Sequence, residues 1–150
     1  MLRGIPPIIS PQLMQVLMEM GHGDEIVLAD GNFPAASLSK RLIRCDGHVI
    51  KDLLEAIIPY FPLDYAVERP AAVMSLRDTE HPPGIWEQYR TMLQTGHADF
   101  VDFEYVERFE FYNRAKEAFA VIATSDQAFK GNLILKKGVV RNMSEGEGRK

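Results

Sequence analysis

The chain has a single cysteine, Cys45, among its 150 residues. One thiol cannot form an intrachain disulfide or a thiolate metal cluster, and it is typical of a protein from a reducing compartment. No apolar run reaches the roughly 20 residues that a membrane-spanning helix needs. The first residues are too few and too interrupted by proline to predict a signal peptide. We therefore expect a cytoplasmic protein with no membrane partner.

Several motifs with defined chemistry are missing as well. Neither glycine-rich phosphate-binding pattern occurs, G-x-G-x-x-G or G-x-x-x-x-G-K-[ST]. H-E-x-x-H, paired-histidine zinc spacing and G-x-S-x-G are also absent. His48, His81 and His97 are scattered, and we expect them on the surface. The formal net charge of -4 argues against nucleic acid as a partner, because phosphate binding needs a concentrated basic surface.

What the chain does contain is enough apolar sequence for one domain, since 46% of its residues are hydrophobic. Candidate helices and strands alternate along most of its length, with no internal repeat and no composition shift. The candidate strands are apolar enough to be covered on both faces. This pattern predicts a single three-layer α/β/α domain over 1–140 with a largely parallel central sheet, and a polar, disordered tail at 141–150.

The element boundaries follow from apolar periodicity and capping residues. We predict helices from Ser10-Pro11 to Gly21, from an Asp46 cap to Pro59, from 85 to a stop at Gly96, and over 108–117. We predict strands at about 25–29, 43–45, 71–76, 100–105, 118–124 and 132–136. The segments 31–40 and 77–84 are predicted as loops, and 125–131 as a turn.

The segment from Gly21 to Asp30 places a candidate proton-transferring histidine and a candidate carboxylate within ten residues. His22 lies between two glycines, so no large neighbour would prevent close approach of a ligand. A short apolar run follows and predicts a buried strand, with Asp30 at the point where the chain leaves it. A histidine and a carboxylate on rigid flanks can exchange protons with a bound hydroxyl compound near neutral pH. Taken alone, such a histidine is more often a turn residue bonded to a carbonyl, and such an aspartate caps a loop about as often as it binds a ligand.

Aromatic residues crowd the beginning of the helix predicted at 108–117. The run Glu107-Arg108-Phe109-Glu110-Phe111-Tyr112 contains three aromatic side chains and an arginine. Aromatics at this density can wall a sugar site, with Arg108 and Tyr112 as donors to hydroxyl groups. The alternative is that both phenylalanines pack in the core beside a surface arginine.

Two further polar residues attract less attention by themselves. Asn132 follows the turn Phe129-Lys130-Gly131 and can both donate to and accept from a hydroxyl, but asparagine is common in turns. Asp64 follows a proline break and reads as an ordinary loop carboxylate.

These motifs together resemble the RbsD/FucU family of fucose mutarotases and ribose pyranases, from Leu2 to about Val139. The strongest parts of the resemblance are Ser10-Pro11, Glu19 to Ile26, Asp30 with Asn32-Phe33-Pro34, Ile43-Arg44, Asp46-Gly47, Leu53-Leu54, Glu107 to Tyr112, Arg114 to Lys116, Ala118 to Val121 and Gly131 to Gly138. The Asn32-Phe33-Pro34 and Arg108 to Tyr112 elements are similar to the fucose branch rather than the ribose branch.

The resemblance implies an isomerase that interconverts the α and β anomers of L-fucose without a metal or organic cofactor. It implies His22 as the proton donor. The substrate-binding residues that it implies are Asp30, Asp64, Arg108, Tyr112, Gly131 and Asn132. It also implies a layered α/β/α fold and a homo-oligomer, in bacteria often a decameric ring, with active sites near subunit contacts.

One position departs from the family pattern. Lys130 stands where the family usually has tyrosine before Gly131-Asn132, and Phe129 has no hydroxyl to replace it. We include Lys130 among the substrate-contacting residues and expect an altered contact with the sugar there. Two alternatives stay open on the sequence. One is a pyranase that converts ribose between pyranose and furanose forms, and the other is a sugar-binding module without turnover.

Overall fold

A six-stranded sheet forms the centre of the computed structural model, which describes residues 1–142. Most of the tail predicted at 141–150 lies outside the described residues. The strands are β1 (Glu25–Ala29), β2 (Leu42–Cys45), β3 (Ala71–Met74), β4 (Glu104–Val106), β5 (Ala120–Thr124) and β6 (Leu133–Lys136). Their order across the sheet is β2-β5-β1-β6-β3-β4. Only β6 runs antiparallel to its neighbours among these strands, so the largely parallel sheet is confirmed.

Helices cover both faces of this sheet. They are α1 (Pro11–Glu19), α2 (Ala35–Leu38), α3 (Ile50–Ile57), α4 (Ile85–Gly96) and α5 (Arg108–Glu117). Side chains alternate along a strand, so Ile26 and Leu28 pack with α1, α3 and α4, whereas Val27 packs with α2 and α5. This confirms the three layers. No helix within 1–142 is long and apolar enough to cross a membrane.

Two helix caps show which capping residues can be predicted from the local sequence and which cannot. The Ser10 hydroxyl accepts a hydrogen bond from the Leu13 N–H at 3.1 Å, as its position before Pro11 predicts. The predicted Asp46 cap is wrong, because Asp46 pairs with Arg44 instead. Helix α3 begins at Ile50, whose N–H donates to the Asp126 carboxylate at 2.9 Å. A cap supplied from a distant turn leaves no local pattern to detect.

Three other predictions differ from the structure. The loop predicted at 31–40 contains the short helix α2. The strand predicted at 100–105 is shortened to β4, because Phe100 and Phe103 are both buried and pack together at 5.5 Å instead of alternating. His97 is not a surface residue, since it is 8% exposed and its ring lies 4.6 Å from that of Tyr65.

Candidate active site

Strand β1 separates the candidate residues into two groups. His22 lies just before the strand begins at Glu25, and Asp30 follows its last residue. A five-residue strand rises about 3.3 Å at each of its four steps, which places the Cα atoms of its first and last residues about 13 Å apart. Within one chain, therefore, His22 and Asp30 do not share one site.

A cavity of about 650 Å³ lies at the carboxyl end of β1. This volume is typical of a small-molecule pocket, and the carboxyl ends of parallel strands are where such sheets commonly bind ligands. Five of the predicted substrate-binding residues line it, namely Asp30, Arg108, Tyr112, Lys130 and Asn132. Gly131 belongs to the same turn as the last two. Neither His22 nor Asp64 lines this cavity.

Asp30 is held at the cavity by Asn132. The Asp30 backbone N–H donates to Asn132 Oδ1 at 2.7 Å, and Asp30 Oδ1 accepts from the Asn32 N–H at 2.9 Å. Burial raises the pKa of Asp30 above its ordinary value, although hydrogen bonds from the N–H groups of Asn32 and Phe33 and from Asn132 oppose that rise. Asp30 therefore takes up a proton more readily than a solvated aspartate, as a general base should.

Helix α5 places Arg108 and Tyr112 on the opposite wall. The Glu107 carboxylate caps the helix by accepting from the backbone N–H groups of Phe109 and Glu110. Arg108 and Tyr112 are four residues apart, so they share a helix face, and Arg108 Nε donates to the Tyr112 hydroxyl at 3.2 Å. Both side chains can donate to the hydroxyl groups of a ligand.

The turn before β6 is held by buried donors on α4. Trp86 Nε1 donates to the Lys130 carbonyl and the Tyr89 hydroxyl to the Gly131 carbonyl, both at 2.8 Å. Lys130 has φ of 47°, the only positive φ at a non-glycine residue within 1–142. At Gly131 a Cβ atom would lie 3.2 Å from the Cβ of Ala128, so a larger residue would crowd the turn. Asn132, 5% exposed, follows in this fixed backbone.

His22 and Asp64 form the second group, at the amino end of β1. His22 Nε2 lies 2.9 Å from Asp64 Oδ1, and the His22 side chain is 51% exposed whereas that of Asp64 is 6% exposed. Burial would raise the pKa of Asp64, but hydrogen bonds from the Ala66 N–H and from His22, with the charge of Lys136, lower it overall. An ionised carboxylate only accepts, so Nε2 carries the proton and Nδ1 stays available.

The end of β6 brings these two residues together. Gly23 N–H donates to the Lys137 carbonyl at 2.8 Å, and Asp64 N–H donates to the Lys136 carbonyl at 3.1 Å. Gly138 allows the close approach of the two segments, since a Cβ atom there would lie 2.9 Å from the Cα of Asp64. The histidine and the carboxylate are therefore placed by neighbouring backbone.

Sequence reasoning missed several residues of the cavity. Arg77 and Glu80 line it from the segment predicted only as a polar loop, and Ser75 lines it from the strand predicted at 71–76. Phe109 also lines it and is 64% exposed, so its predicted core packing is wrong, whereas Phe111 is fully buried as expected. No cluster of three or more potential metal ligands occurs within 1–142. The groups that the site presents are weak acids, weak bases and hydrogen-bond donors.

Comparison with known proteins gives a consistent match. Residues 3–140 match the RbsD / FucU transport protein family. The chain is 49% identical to the fucose mutarotase of Homo sapiens over 146 residues, covering 93% of this chain and 94% of that protein. It is 51% identical to the L-fucose mutarotase of Glaesserella parasuis over 142 residues, covering 93% and 96%. The crystal structure of the Streptococcus pneumoniae fucose mutarotase in complex with L-fucose superposes with a TM-score of 0.87 at 45% identity, covering 93% of this chain and all of that one.

Proposed function

The chain belongs to the RbsD / FucU transport protein family, and we propose that it is an L-fucose mutarotase that uses His22 and Asp30 as its proton-transferring groups. The observation that carries the role of Asp30 is the cavity at the end of β1, where its pKa is raised and where Arg108, Tyr112, Lys130 and Asn132 also line the wall. The role of His22 rests on the family resemblance, because His22 does not line this cavity. The relatives' names supply the sugar and the reaction. The activity is that of an isomerase in carbohydrate metabolism.

Mutarotation consists of balanced proton transfers. A base removes the proton of the anomeric hydroxyl and an acid protonates the ring oxygen, so that the ring opens to an aldehyde. The carbonyl carbon rotates, and the reverse transfers close the ring on its other face. Each well-placed acid or base contributes about 10² to 10⁴-fold. His22 exchanges one of these protons, and Asp30 is its partner base.

Arg108, Tyr112, Lys130 and Asn132 bind the remaining hydroxyl groups. Arg108 and Lys130 can only donate, whereas Tyr112 and Asn132 both donate and accept. Gly131 gives the turn the space to approach the sugar. Asp64 fixes the ring of His22 through Nε2, which leaves Nδ1 for proton exchange.

A second copy of the chain supplies the half that each cavity lacks. Strand β1, about 13 Å long, lies between His22 and Asp30, and His22 does not line the cavity of Asp30, so both can act on one sugar only if they come from different copies. A head-to-tail interface joins opposite ends of the molecule, and it closes into a ring when the rotation between successive copies allows closure. We propose a homo-oligomeric ring, within an assembly of the decameric kind that the family resemblance implies.

The cysteine content bears on the compartment. Cys45 is the only thiol and is buried as a free cysteine. A protein that needs no disulfide suits a reducing interior, where a sugar-converting enzyme meets its substrate. We propose a cytoplasmic location.

Saturation-transfer NMR on the two anomers of L-fucose tests the function. The protein should raise the exchange rate well above the spontaneous rate in the same buffer. D-ribose in the same experiment tests the pyranase alternative, and faster exchange of ribose than of fucose would contradict the assignment. Calorimetry with L-fucose tests the binding-module alternative, which binding without accelerated exchange would support.

A further inference from the structure

A lysine and a glutamate join two loops at one wall of the cavity. Lys130 Nζ lies 2.7 Å from Glu80 Oε1 and donates to the Ser75 carbonyl at 2.6 Å. The two side chains are 14% and 9% exposed. This ion pair is therefore largely shielded from solvent, unlike the surface pairs of the molecule.

Glu80 is held in place independently of the lysine. Its Oε1 atom accepts from the Arg77 backbone N–H at 2.7 Å, and its Oε2 atom accepts from the Arg77 guanidinium at 3.0 and 3.1 Å. The backbone N–H of Arg77, followed by the hydrogen bond from Lys130, lowers the pKa of Glu80 to about 2. Glu80 is thus a fixed negative charge throughout the neutral range.

Lys130 is directed toward Glu80 by its backbone. Its φ of 47° lies in the left-handed region that disfavours residues with a Cβ atom. The Trp86 indole and the Tyr89 hydroxyl hold the adjacent carbonyls in this conformation. A non-glycine residue maintained in such a conformation by its surroundings is a feature common at ligand sites.

The hydrogen-bond capacity of the lysine is not exhausted. An ammonium group has three N–H donors, and two of those on Lys130 reach Glu80 and Ser75. No further acceptor within 1–142 is recorded for Lys130 Nζ, which leaves one donor for a ligand in the cavity.

The charges around the cavity balance. Three basic side chains line it, Arg77, Arg108 and Lys130, together with three acidic ones, Asp30, Glu80 and Glu107. Glu80 pairs with Lys130 at contact distance and also with the exposed Arg77. Because the charges of the whole lining balance, Lys130 can donate a hydrogen bond from a cavity that has no net positive charge.

We propose that Glu80 is a positioning and specificity residue: it holds the Lys130 ammonium against the sugar and supplies the negative charge that keeps the cavity lining neutral, so the pocket selects a neutral monosaccharide over an anionic sugar acid. This inference rests on the proposed function, which supplies the sugar. It adds a residue from a loop to which sequence reasoning assigned no role.

Two open-chain analogues of the sugar make a matched pair of probes. L-Fucitol and L-fuconate differ only at C1, which is a neutral alcohol in one and a carboxylate in the other. The measured quantity is the ratio of their dissociation constants, fuconate over fucitol, obtained by calorimetry on the assembled protein. General damage to the fold weakens the binding of both ligands to the same extent and leaves the ratio of their dissociation constants unchanged.

Glu80→Gln should lower this ratio about tenfold, because it leaves the Lys130 charge without its partner. Lys130→Met should raise it by a similar factor, since Glu80 then repels the carboxylate. The double variant should return close to the wild-type ratio. Glu117→Gln is the matched control, because its exposed pair with Lys40 lies on the surface, and it should leave the ratio unchanged.

A ratio that stays within twofold of wild type in both single variants would overturn the inference, as would an equal loss of both ligands in Glu80→Gln. L-Fucose exchange is measured on the same wild-type sample. Failure to exchange the anomers would overturn the proposed function and the inference with it. An unchanged ratio in a protein that does exchange them would overturn the inference alone.

Discussion

The two ends of strand β1 carry similar groups in opposite settings. At the amino end, His22 is half exposed and rests against a buried Asp64 whose pKa is lowered. At the carboxyl end, Asp30 lies in a cavity where burial raises its pKa. One end offers a titratable group without a pocket, and the other offers a pocket with a carboxylate. Each end supplies what a mutarotase needs and the other lacks.

The two ends of β1 also differ in how many hydrogen bonds hold their functional groups in place. The turn at 129–132 is held by Trp86 and Tyr89 on its carbonyls and by Glu80 on its lysine, so the cavity is preorganised within one chain. His22 has a single hydrogen bond recorded for its ring within the described residues, to Asp64. A preorganised cavity together with a half-exposed histidine is the arrangement that the proposed contact between two copies requires.

The largest effect should come from removing the half-exposed histidine. His22→Ala should reduce the anomer exchange rate of L-fucose about 10² to 10⁴-fold, because one positioned proton donor is lost. His48→Ala is the control, since His48 is exposed and lies outside the cavity lining. Saturation-transfer NMR gives both rates. A His22→Ala rate within threefold of wild type would remove His22 from the mechanism.

Gly138→Ala should disturb the amino end alone. The added Cβ atom would meet the backbone of Leu63 and Asp64, which cannot move aside as a side chain could. We expect a loss of about 1 to 3 kcal/mol in the free energy of unfolding. Gly84→Ala is the matched control, because nothing lies within 4 Å of its added Cβ atom. Urea unfolding measures both, and equal stability of the two variants would contradict the close approach.

Asp64→Asn should destabilise the protein at neutral pH by about 1 kcal/mol, through the lost charge-assisted hydrogen bonds. The pKa of Asp64 is lowered by folding, so its contribution is present above the ordinary value of 3.8 and is lost as the pH falls through the folded-state value. The difference between variant and wild type should therefore disappear in acid. A difference that is constant from pH 7 to pH 3 would contradict this.

Asp30→Asn should have the smallest effect on stability, and it should stabilise the protein where Asp64→Asn destabilises it. Folding raises the pKa of Asp30, so its ionised form costs stability above the ordinary value of 3.8, and that cost is absent below it. The variant should gain about 0.5 kcal/mol at pH 7 and nothing at pH 3. Thermal unfolding at the two pH values measures this. If the variant were less stable than wild type at pH 7, the result would contradict this prediction, because the ionised carboxylate would then stabilise the fold.

Features determined by neighbouring residues could be predicted from the sequence. The Ser10 cap, strand β1 and the whole of α5 were predicted within a residue or two, because capping and periodicity act over a few positions. The candidate residues His22, Asp30 and Arg108 also came from local motifs. The family resemblance supplied Asp64, which no local pattern distinguished.

Long-range pairings could not be predicted in this way. His22 and Asp64 are 42 residues apart, Glu80 and Lys130 are 50 apart, and Ile50 and Asp126 are 76 apart. Each pair forms because the sheet brings separate loops together, and no spacing in the sequence records it. The separation of His22 from Asp30, in contrast, follows from the strand predicted at 25–29 between them.

A complementation experiment tests most directly whether the two ends meet between copies. His22→Ala and Asp30→Asn should each be nearly inactive alone. When the two variants are unfolded together and refolded at equal amounts, about one site in four should combine an intact pocket with an intact histidine. We therefore predict that L-fucose exchange recovers to about a quarter of the wild-type rate. Mixed oligomers that stay as inactive as the separate variants would contradict the account.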